Sequence, residues 1–467
     1  MTLIKSISGI RGTIGGKVGE GLSPVDVVKF AAAYGTWLQE INNARQLKVV
    51  IGRDARLSGS IVSNLVISTL RSLGISVLDL GLSTTPTVEM AVITEKTHGG
   101  IIITASHNPK EWNALKLLNN LGEFISDTDG KRVLEIAEKE EFDFIDVDKL
   151  GKITQDHDYI HKHIETILSL PYVDKEAIEK ADFSIVVDAV NSTGGIAVPL
   201  LLNALGLSKV IGLNCEPTGI FAHNPEPLPN HLVELSSSVV ENKANLGISV
   251  DPDVDRLALV CEDGSMFGEE YTLVAVADYI LSQKGGATVS NLSSTRALRD
   301  ITEGHGYQYA ASAVGEVNVV TKMKEINAVI GGEGNGGVIL PELHYGRDAL
   351  VGIALFLTHL AKSGKKVSQL RDSYPKYVIS KNKIELTPET DVDKILSDIQ
   401  KKYAKNEIDT ADGVKIYFEK EWVHLRKSNT EPIIRIYAES KDEVKANTLA
   451  ENIICEIKKL MHESCES

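Results

Sequence analysis

Apolar and polar positions alternate along the chain in two rhythms. Val25–Gln39 carries apolar residues at helical spacing, and Lys48–Gly52 follows as a short continuous run, the pattern of a buried strand. Helical spacing returns at Ser60–Leu73 and Thr87–His98, with strand-like runs at Ser76–Leu80 and Gly100–Thr104. The rhythm restarts with a strand at Phe183–Asp188 and a helix at Gly195–Leu205. It restarts again near Ser249, with strand runs at Leu246–Val250 and Leu257–Val260 and a helix at Tyr271–Gln283. Such alternation predicts an α/β fold with parallel strands and helical crossovers. Beyond Ser380 the pattern changes. Ile384–Leu386, Val414–Phe418, Trp422–Arg426 and Ile433–Tyr437 read as strands beside helices at Val392–Tyr403 and Lys441–Met461, an α+β module with an antiparallel sheet. Weak breaks near Leu150–Thr154, Glu262–Gly264 and Tyr374–Ser380 divide the chain into segments 1–152, 153–262, 263–374 and 375–467.

Composition narrows the class. A chain of 467 residues, 43% apolar and 24% charged, is long enough for two to four domains and too apolar for disorder. The formal net charge of −15 argues against a general nucleic-acid or anionic-membrane binder, which needs surplus Lys and Arg. It leaves room for an anionic substrate, because a local Arg/Lys cluster or a bound cation reverses the field within one cleft. Cys215, Cys261, Cys455 and Cys465 are widely spaced without a CxxC pair, so neither a disulfide framework nor a zinc site follows. Met1–Ile10 has no secretory pattern, and the apolar runs Leu273–Ala277 and Ile353–Leu357 fall far short of the ~20 residues of a membrane span. A cytoplasmic location is expected.

Four local signals carry chemistry. Thr104-Ala105-Ser106-His107-Asn108-Pro109 follows a predicted strand, where ligands of open α/β sheets gather. Ser106 is a poor nucleophile unless a neighbour such as Lys116 or His107 assists it; the competing reading is an ordinary serine turn. Asp251-Pro252-Asp253-Val254-Asp255-Arg256 sets three carboxylates at alternating positions, which repel one another unless a cation lies among them. With no His or Cys inside the motif, Mg²⁺ is the natural match, against the alternative of a solvated acidic turn. Arg426-Lys427-Ser428-Asn429-Thr430-Glu431-Pro432, with Arg435 beyond, offers forked and neutral donors suited to a phosphate, or else forms a basic β-turn. Gly331-Gly332-Glu333-Gly334-Asn335-Gly336-Gly337 permits close backbone approach, with Glu333 and Asn335 placed to bond hydroxyls. It runs into Val338-Ile339-Leu340 rather than opening a helix, which is the wrong context for a dinucleotide site, and there is no Walker A sequence.

In combination these motifs resemble the α-D-phosphohexomutase family, from Gly9-Ile10-Arg11-Gly12 and Gly52-Arg53-Asp54-Ala55-Arg56 through to the phosphate loop. The resemblance implies three similar α/β domains with mixed sheets plus a smaller C-terminal α+β domain around a central cleft. The segments would carry, in order, phosphoserine, metal, sugar recognition and phosphate binding. It implies that Ser106 is carried as phosphoserine, that Asp251, Asp253 and Asp255 hold Mg²⁺ with an oxygen of that phosphoryl group, and that Lys116 acts as general acid/base. By the same resemblance Arg11 stabilises the phosphoryl group, His107 joins the catalytic set, Arg256 faces the substrate, and Glu333 and Asn335 read sugar hydroxyls. Arg426, Ser428, Asn429, Thr430 and Arg435 would grip the non-transferring phosphate. The implied reaction interconverts a hexose 6-phosphate and a hexose 1-phosphate through a hexose 1,6-bisphosphate, which also serves as activator. A monomer or homodimer with no nucleic-acid or membrane partner is expected. Departures from the family pattern fall at Asn113-Ala114 and in the sugar loop at Glu333–Gly337. Glucosamine phosphate is the first expectation for the sugar and mannose or glucose phosphate the second. A sugar-phosphate binding protein without turnover and a metal-assisted phosphatase are the competing classes.

Overall fold

The three-dimensional structure, a computed structural model, describes residues 2–6, 9–42, 44, 46–387, 390–428 and 433–461. Four sheets flanked by helices give a four-domain α/β architecture with mixed sheets. The backbone forms two compact units, 1–283 with 335–371 and 284–334 with 372–467.

In the first unit the leading sheet contains β1 (Ile4–Ser6), β2 (Gly9–Thr13), β3 (Lys48–Arg53), β4 (Ser76–Leu82), β5 (Gly99–Ile103), β6 (Trp112–Leu118) and β7 (Ile153–Gln155). The spatial order is β1-β2-β6-β5-β3-β4-β7. Strands β5, β3, β4 and β7 run parallel, as the strand–helix alternation predicts, while β6 lies antiparallel between β2 and β5. The reversal follows from chain length: the serine loop alone separates β5 from β6, too short for a crossover helix of about a dozen residues. Both faces of this sheet are covered. Phe30, Tyr34, Trp37 and Leu38 of the Pro24–Ile41 helix pack on one face, and Val88, Ala91 and Val92 of the Thr85–Thr94 helix on the other.

The second sheet joins β8 (Ile185–Asp188), β9 (Val210–Leu213), β10 (Leu246–Val250) and β11 (Leu257–Cys261) in the order β11-β10-β8-β9. Strands β10 and β11 form a fully buried antiparallel hairpin, and the Asp251–Arg256 stretch is its connection. The first unit also holds the Ala349–Ser363 helix, whose Phe356 ring meets Phe267 edge-on at 5.2 Å.

In the second unit β12 (Thr288–Asn291) lies between parallel partners β13 (Tyr309–Ser312) and β14 (Ile330–Glu333), while β15 (Gly337–Ile339) falls in the first unit. The last sheet is antiparallel throughout: β16 (Val378–Glu385), β17 (Glu407–Asp409), β18 (Val414–Tyr417), β19 (Trp422–Lys427) and β20 (Ile433–Ser440) follow the order β16-β20-β19-β18-β17. The Val392–Lys402 and Glu443–Leu460 helices close its core through Ile395, Ile399, Ala450, Ile453 and Ile457, the predicted α+β module. Among the described residues Cys215 and Cys261 carry free thiols. Among the described residues no helix is long and apolar enough to cross a membrane.

Candidate active site

Ser106 lies in the loop from β5 to β6 with a backbone φ of +47°, a left-handed conformation that a non-glycine residue adopts only when its surroundings impose it. Arg56 is the imposing group. Its guanidinium is fully buried and uses all five of its N–H donors. Nε bonds Asp54 Oδ2 at 3.0 Å, Nη1 bonds the carbonyls of Pro109 (2.6 Å) and Trp112 (3.0 Å), and Nη2 bonds those of Ser106 and Asn108, both at 2.6 Å. The Phe221 ring covers the guanidinium carbon at 5.0 Å. Thr104 Oγ1 donates to Asp54 at 2.7 Å and accepts the Ser106 N–H at 2.9 Å, which fixes the loop from its inner side.

This geometry delivers the Ser106 hydroxyl to the second loop. Ser106 Oγ donates to Asp251 Oδ2 at 2.7 Å, while Asp251 Oδ1 accepts the N–H groups of Asp255 and Arg256 at 3.1 Å each. Ser192 and Thr193 hydroxyls hold the Pro252 carbonyl at 2.7 and 2.8 Å. Lys116, on buried β6, reaches Asp253 Oδ2 at 2.7 Å and Asp255 Oδ2 at 3.6 Å. Thr85 Oγ1 donates to Asp253 Oδ2 at 2.6 Å, and Arg347 Nη2 donates to Asp255 Oδ2 at 2.7 Å. Arg256 Nε stands 3.9 Å from Asp255 Oδ1, and Arg256 Nη1 stands 3.6 Å from Glu226. His107 Nδ1 lies 3.4 Å from Ser106 Oγ. Arg11, on β2, is paired in register with Ala114 of β6, two residues before Lys116.

Electrostatics separates these groups. Burial, reinforced by Asp255 and Asp253, pushes the Asp251 carboxyl well above its ordinary range. Burial acts on Asp253 in the same sense, but Lys116 and Thr85 outweigh it and hold that carboxyl below its ordinary range. Burial opposes the Lys116 charge, and Asp253 and Asp255 more than compensate, so its proton is held tightly. Burial, aided by Arg256 and Arg347, keeps His107 neutral; burial alone lowers the Arg11 guanidinium.

The three aspartates bring ligand atoms within 4.8 Å of one another, all wholly buried. Asp253 Oδ1 and Asp255 Oδ1 accept no hydrogen bond. Buried carboxylate oxygens left without donors in an all-oxygen set fit a hard divalent cation.

The remaining predicted residues are distributed as follows. In the second unit, Glu333 Oε1 at the end of β14 accepts from Asn291 Nδ2 at 2.8 Å and from the Gly315 N–H at 3.2 Å. Arg426 and Arg435 face each other across the β19–β20 pair, with Arg426 Nη1 3.8 Å from Asp412, and the Ser428 N–H donates to the Ile433 carbonyl at 3.0 Å. Asn429 and Thr430 lie outside the described residues. In the first unit, Asn335 Oδ1 accepts the Gly337 N–H at 3.2 Å. Two of the loop's glycines serve packing rather than an open approach. A Cβ on Gly336 (φ +85°) would stand 2.2 Å from the Leu257 carbonyl oxygen, and one on Gly337 would stand 2.4 Å from Arg347 Cδ.

Arg56, Thr85 and Arg347 were not among the residues that the sequence singled out for a role. Arg56 falls inside Gly52–Arg56, which carried only the resemblance; Arg347 has a local signal in standing before Asp348, the N-cap of a long apolar helix. Thr85 has no signal of its own.

The fold and this site define the class: a multidomain α/β chain with a buried hydroxyl set against a carboxylate loop. Models of the phosphoglucomutase/phosphomannomutase family match along it, alpha/beta/alpha domain I at 3–144, domain II at 158–264, domain III at 268–377 and the C-terminal domain at 383–455. A phosphoglucomutase/phosphomannomutase from Thermococcus kodakarensis is 38% identical, covering 94% of this chain and 96% of that one. A phosphoglucosamine/phosphogalactosamine mutase from Sulfurisphaera tokodaii is 33% identical, covering 97% and 98%. Among solved structures, a phosphoglucomutase/phosphomannomutase family protein from Burkholderia thailandensis superposes with a TM-score of 0.83 at 23% identity over 99% of both chains, a likeness of fold. The chain belongs to the phosphoglucomutase/phosphomannomutase family, whose mutases are isomerases.

Proposed function

We propose that this phosphohexomutase interconverts glucosamine 6-phosphate and glucosamine 1-phosphate, with Ser106 as the phosphoryl carrier and a 1,6-bisphosphate as intermediate and activator. The observation that carries the reading is the 2.7 Å contact of Ser106 Oγ with Asp251, inside a buried group of three aspartates. Asp251, Asp253 and Asp255 would hold Mg²⁺, which supplies charge neutralisation for the transferring phosphoryl group.

Acid and base roles follow from the opposed environments of Lys116 and His107. In the first half-reaction the phosphoryl group leaves Ser106 Oγ for O1 of the 6-phosphate. His107, kept neutral, accepts the O1 proton, and Lys116, kept charged, returns a proton to Ser106 Oγ. In the second, neutral Lys116 takes the serine proton, the 6-phosphoryl group passes to Ser106, and charged His107 protonates O6. Both residues then stand as they began. Arg11 would stabilise the phosphoryl group in flight and Arg256 would face the sugar phosphate. Glu333 and Asn335 would read sugar hydroxyls, while Arg426, Ser428, Asn429, Thr430 and Arg435 would grip the phosphate that stays. Domains at 1–152, 153–262, 263–374 and 375–467 would each contribute one of these loops.

A second reading, glucose or mannose phosphate as the sugar, is favoured by the 38% identical Thermococcus relative named phosphoglucomutase/phosphomannomutase. Parallel turnover of the 1-phosphates of glucosamine, N-acetylglucosamine, glucose and mannose, with Mg²⁺ and a trace of the matching bisphosphate, decides between them. The highest kcat/KM is expected for glucosamine 1-phosphate; a higher value for glucose or mannose overturns the sugar. Ser106→Ala is expected to lower turnover by about 10⁴-fold or more, and full interconversion by that variant overturns the mechanism.

A further inference from the structure

Two helix N-termini grip the Asp251–Asp255 connection from different parts of the chain. The Thr85–Thr94 helix donates the Thr85 N–H to the Asp253 carbonyl at 2.8 Å and the Thr85 hydroxyl to its carboxylate at 2.6 Å. The Ala349–Ser363 helix donates the Ala349 N–H to the Val254 carbonyl at 3.1 Å, while Arg347, just before it, holds Asp255 at 2.7 Å. Carboxylates within 4.8 Å of one another repel when charged, so the spacing of Asp253 from Asp255 depends on how firmly these helices are held to each other.

A second buried cluster ties them together. Glu89 lies one turn after Thr85 and hence on the same face of its helix, and Asp348 caps the other helix through the N–H groups of Leu350 and Val351. His344 stands between them, Nδ1 3.3 Å from Glu89 Oε2 and Nε2 3.3 Å from Asp348 Oδ2. Nε2 is hydrogen-bonded to Asp348, and Nδ1 meets Glu89 as an ion-pair contact without hydrogen-bond geometry, an arrangement that favours the charged imidazole because a neutral ring would set a lone pair against one of the carboxylates. Burial opposes that charge, but Asp348 and Glu89 raise the His344 value to about 10. His163 adds a parallel tie from the Tyr159–Leu168 helix. Its Nε2 lies 3.0 Å from Asp348 Oδ2 and its Nδ1 lies 3.0 Å from Thr87 Oγ1. Each of these side chains is at most 3% exposed.

We propose that His344, clamped between Glu89 and Asp348, is a positioning residue that fixes the two helix N-termini and thereby the spacing of Asp253 and Asp255 for the divalent cation. The inference rests on the mutase reading of the aspartate loop, and its test separates the two. Mn²⁺ binding to the full chain is measured from the electron paramagnetic resonance of free Mn²⁺, with KM for the hexose phosphate measured alongside. Glu89→Gln and His344→Gln are each expected to weaken Mn²⁺ binding by about tenfold or more while KM stays within about twofold. The double variant, in which two neutral amides bond each other, is expected to return to within about threefold of wild type. Thr87→Val, which removes the hydroxyl's bonds to His163 and to the N-cap Thr84 but leaves the Glu89–His344–Asp348 contacts in place, gives a milder loss of about two- to fivefold and serves if the stronger variants do not fold. Wild-type Mn²⁺ affinity in the single variants, whatever their melting temperatures, overturns the proposal. So does a double variant no better than the singles, or a stoichiometric transition metal held at His163, His344 and Asp348. Wild-type protein that binds Mn²⁺ without turning over any hexose phosphate sinks the mutase reading, while the Mn²⁺ comparison still decides the role of His344.

Discussion

Asp251, Asp253 and Asp255 in one place, and His163, His344 and Asp348 in another, each bring three ligand-type atoms within 4.8 Å in the buried interior of the first unit. In the aspartate group the charges are alike, two carboxylate oxygens accept no hydrogen bond, and Lys116 and Arg347 reach in from other elements. In the histidine group each ring nitrogen faces an oxygen of Glu89, Asp348 or Thr87. The first site therefore keeps unbonded oxygens within its own carboxylate set, whereas in the second the Asp348 carboxylate is bonded by both histidines and by the N–H groups of Leu350 and Val351, and His344 Nδ1 meets Glu89 as an ion-pair contact without hydrogen-bond geometry. Residue type and spacing do not by themselves make a metal site; residual charge and unmet acceptors do.

Asp253 carries the largest expected effect. Asp253→Asn is expected to abolish measurable Mn²⁺ binding and to lower kcat by about 10²- to 10³-fold, checked by resonance titration and steady-state assay. Retained binding would move the cation elsewhere. A smaller loss is expected from Arg56→Lys, because a lysine offers three donors from one point where the arginine fork supplies five. With the Ser106 conformation loosened, kcat should fall by about 10- to 100-fold with KM nearly unchanged, read from substrate-saturation curves. The smallest effect distinguishes the histidine cluster. A histidine whose folded value of about 10 exceeds its ordinary 6.5 adds stability that is complete below 6.5 and is lost as pH rises toward 10. Chemical unfolding across that window should show wild type losing stability with rising pH at a slope up to about 1.4 kcal/mol per unit steeper than His344→Gln. Parallel slopes would mean that His344 is not charged.

Much of this architecture was legible in the chain. The strand at Lys48–Gly52, the helix at Val25–Gln39 and the antiparallel module after Ser380 all carry local periodicity, and the structure places elements there within a few residues. Strand β6 escaped because Asn113 and Lys116 interrupt its apolar pattern, although both are buried for reasons of chemistry. In the site, Ser106 and the three aspartates announced themselves through local sequence. Thr85 and Arg347 did not, since their partners Asp253 and Asp255 lie 168 and 92 residues away and periodicity holds no information at that range. Arg56 was hidden differently. Its function is to bond backbone carbonyls, and a carbonyl leaves no trace in residue identity.

If the hydroxyl held against the aspartate loop stores the migrating group, peptide mass mapping after incubation with hexose 1,6-bisphosphate and Mg²⁺ finds phosphate on Ser106 alone. That phosphate is discharged when hexose 6-phosphate is added, with bisphosphate appearing in equal amount. Phosphate on a different residue, or an unmodified Ser106 in protein that still interconverts the two monophosphates, would contradict that storage role.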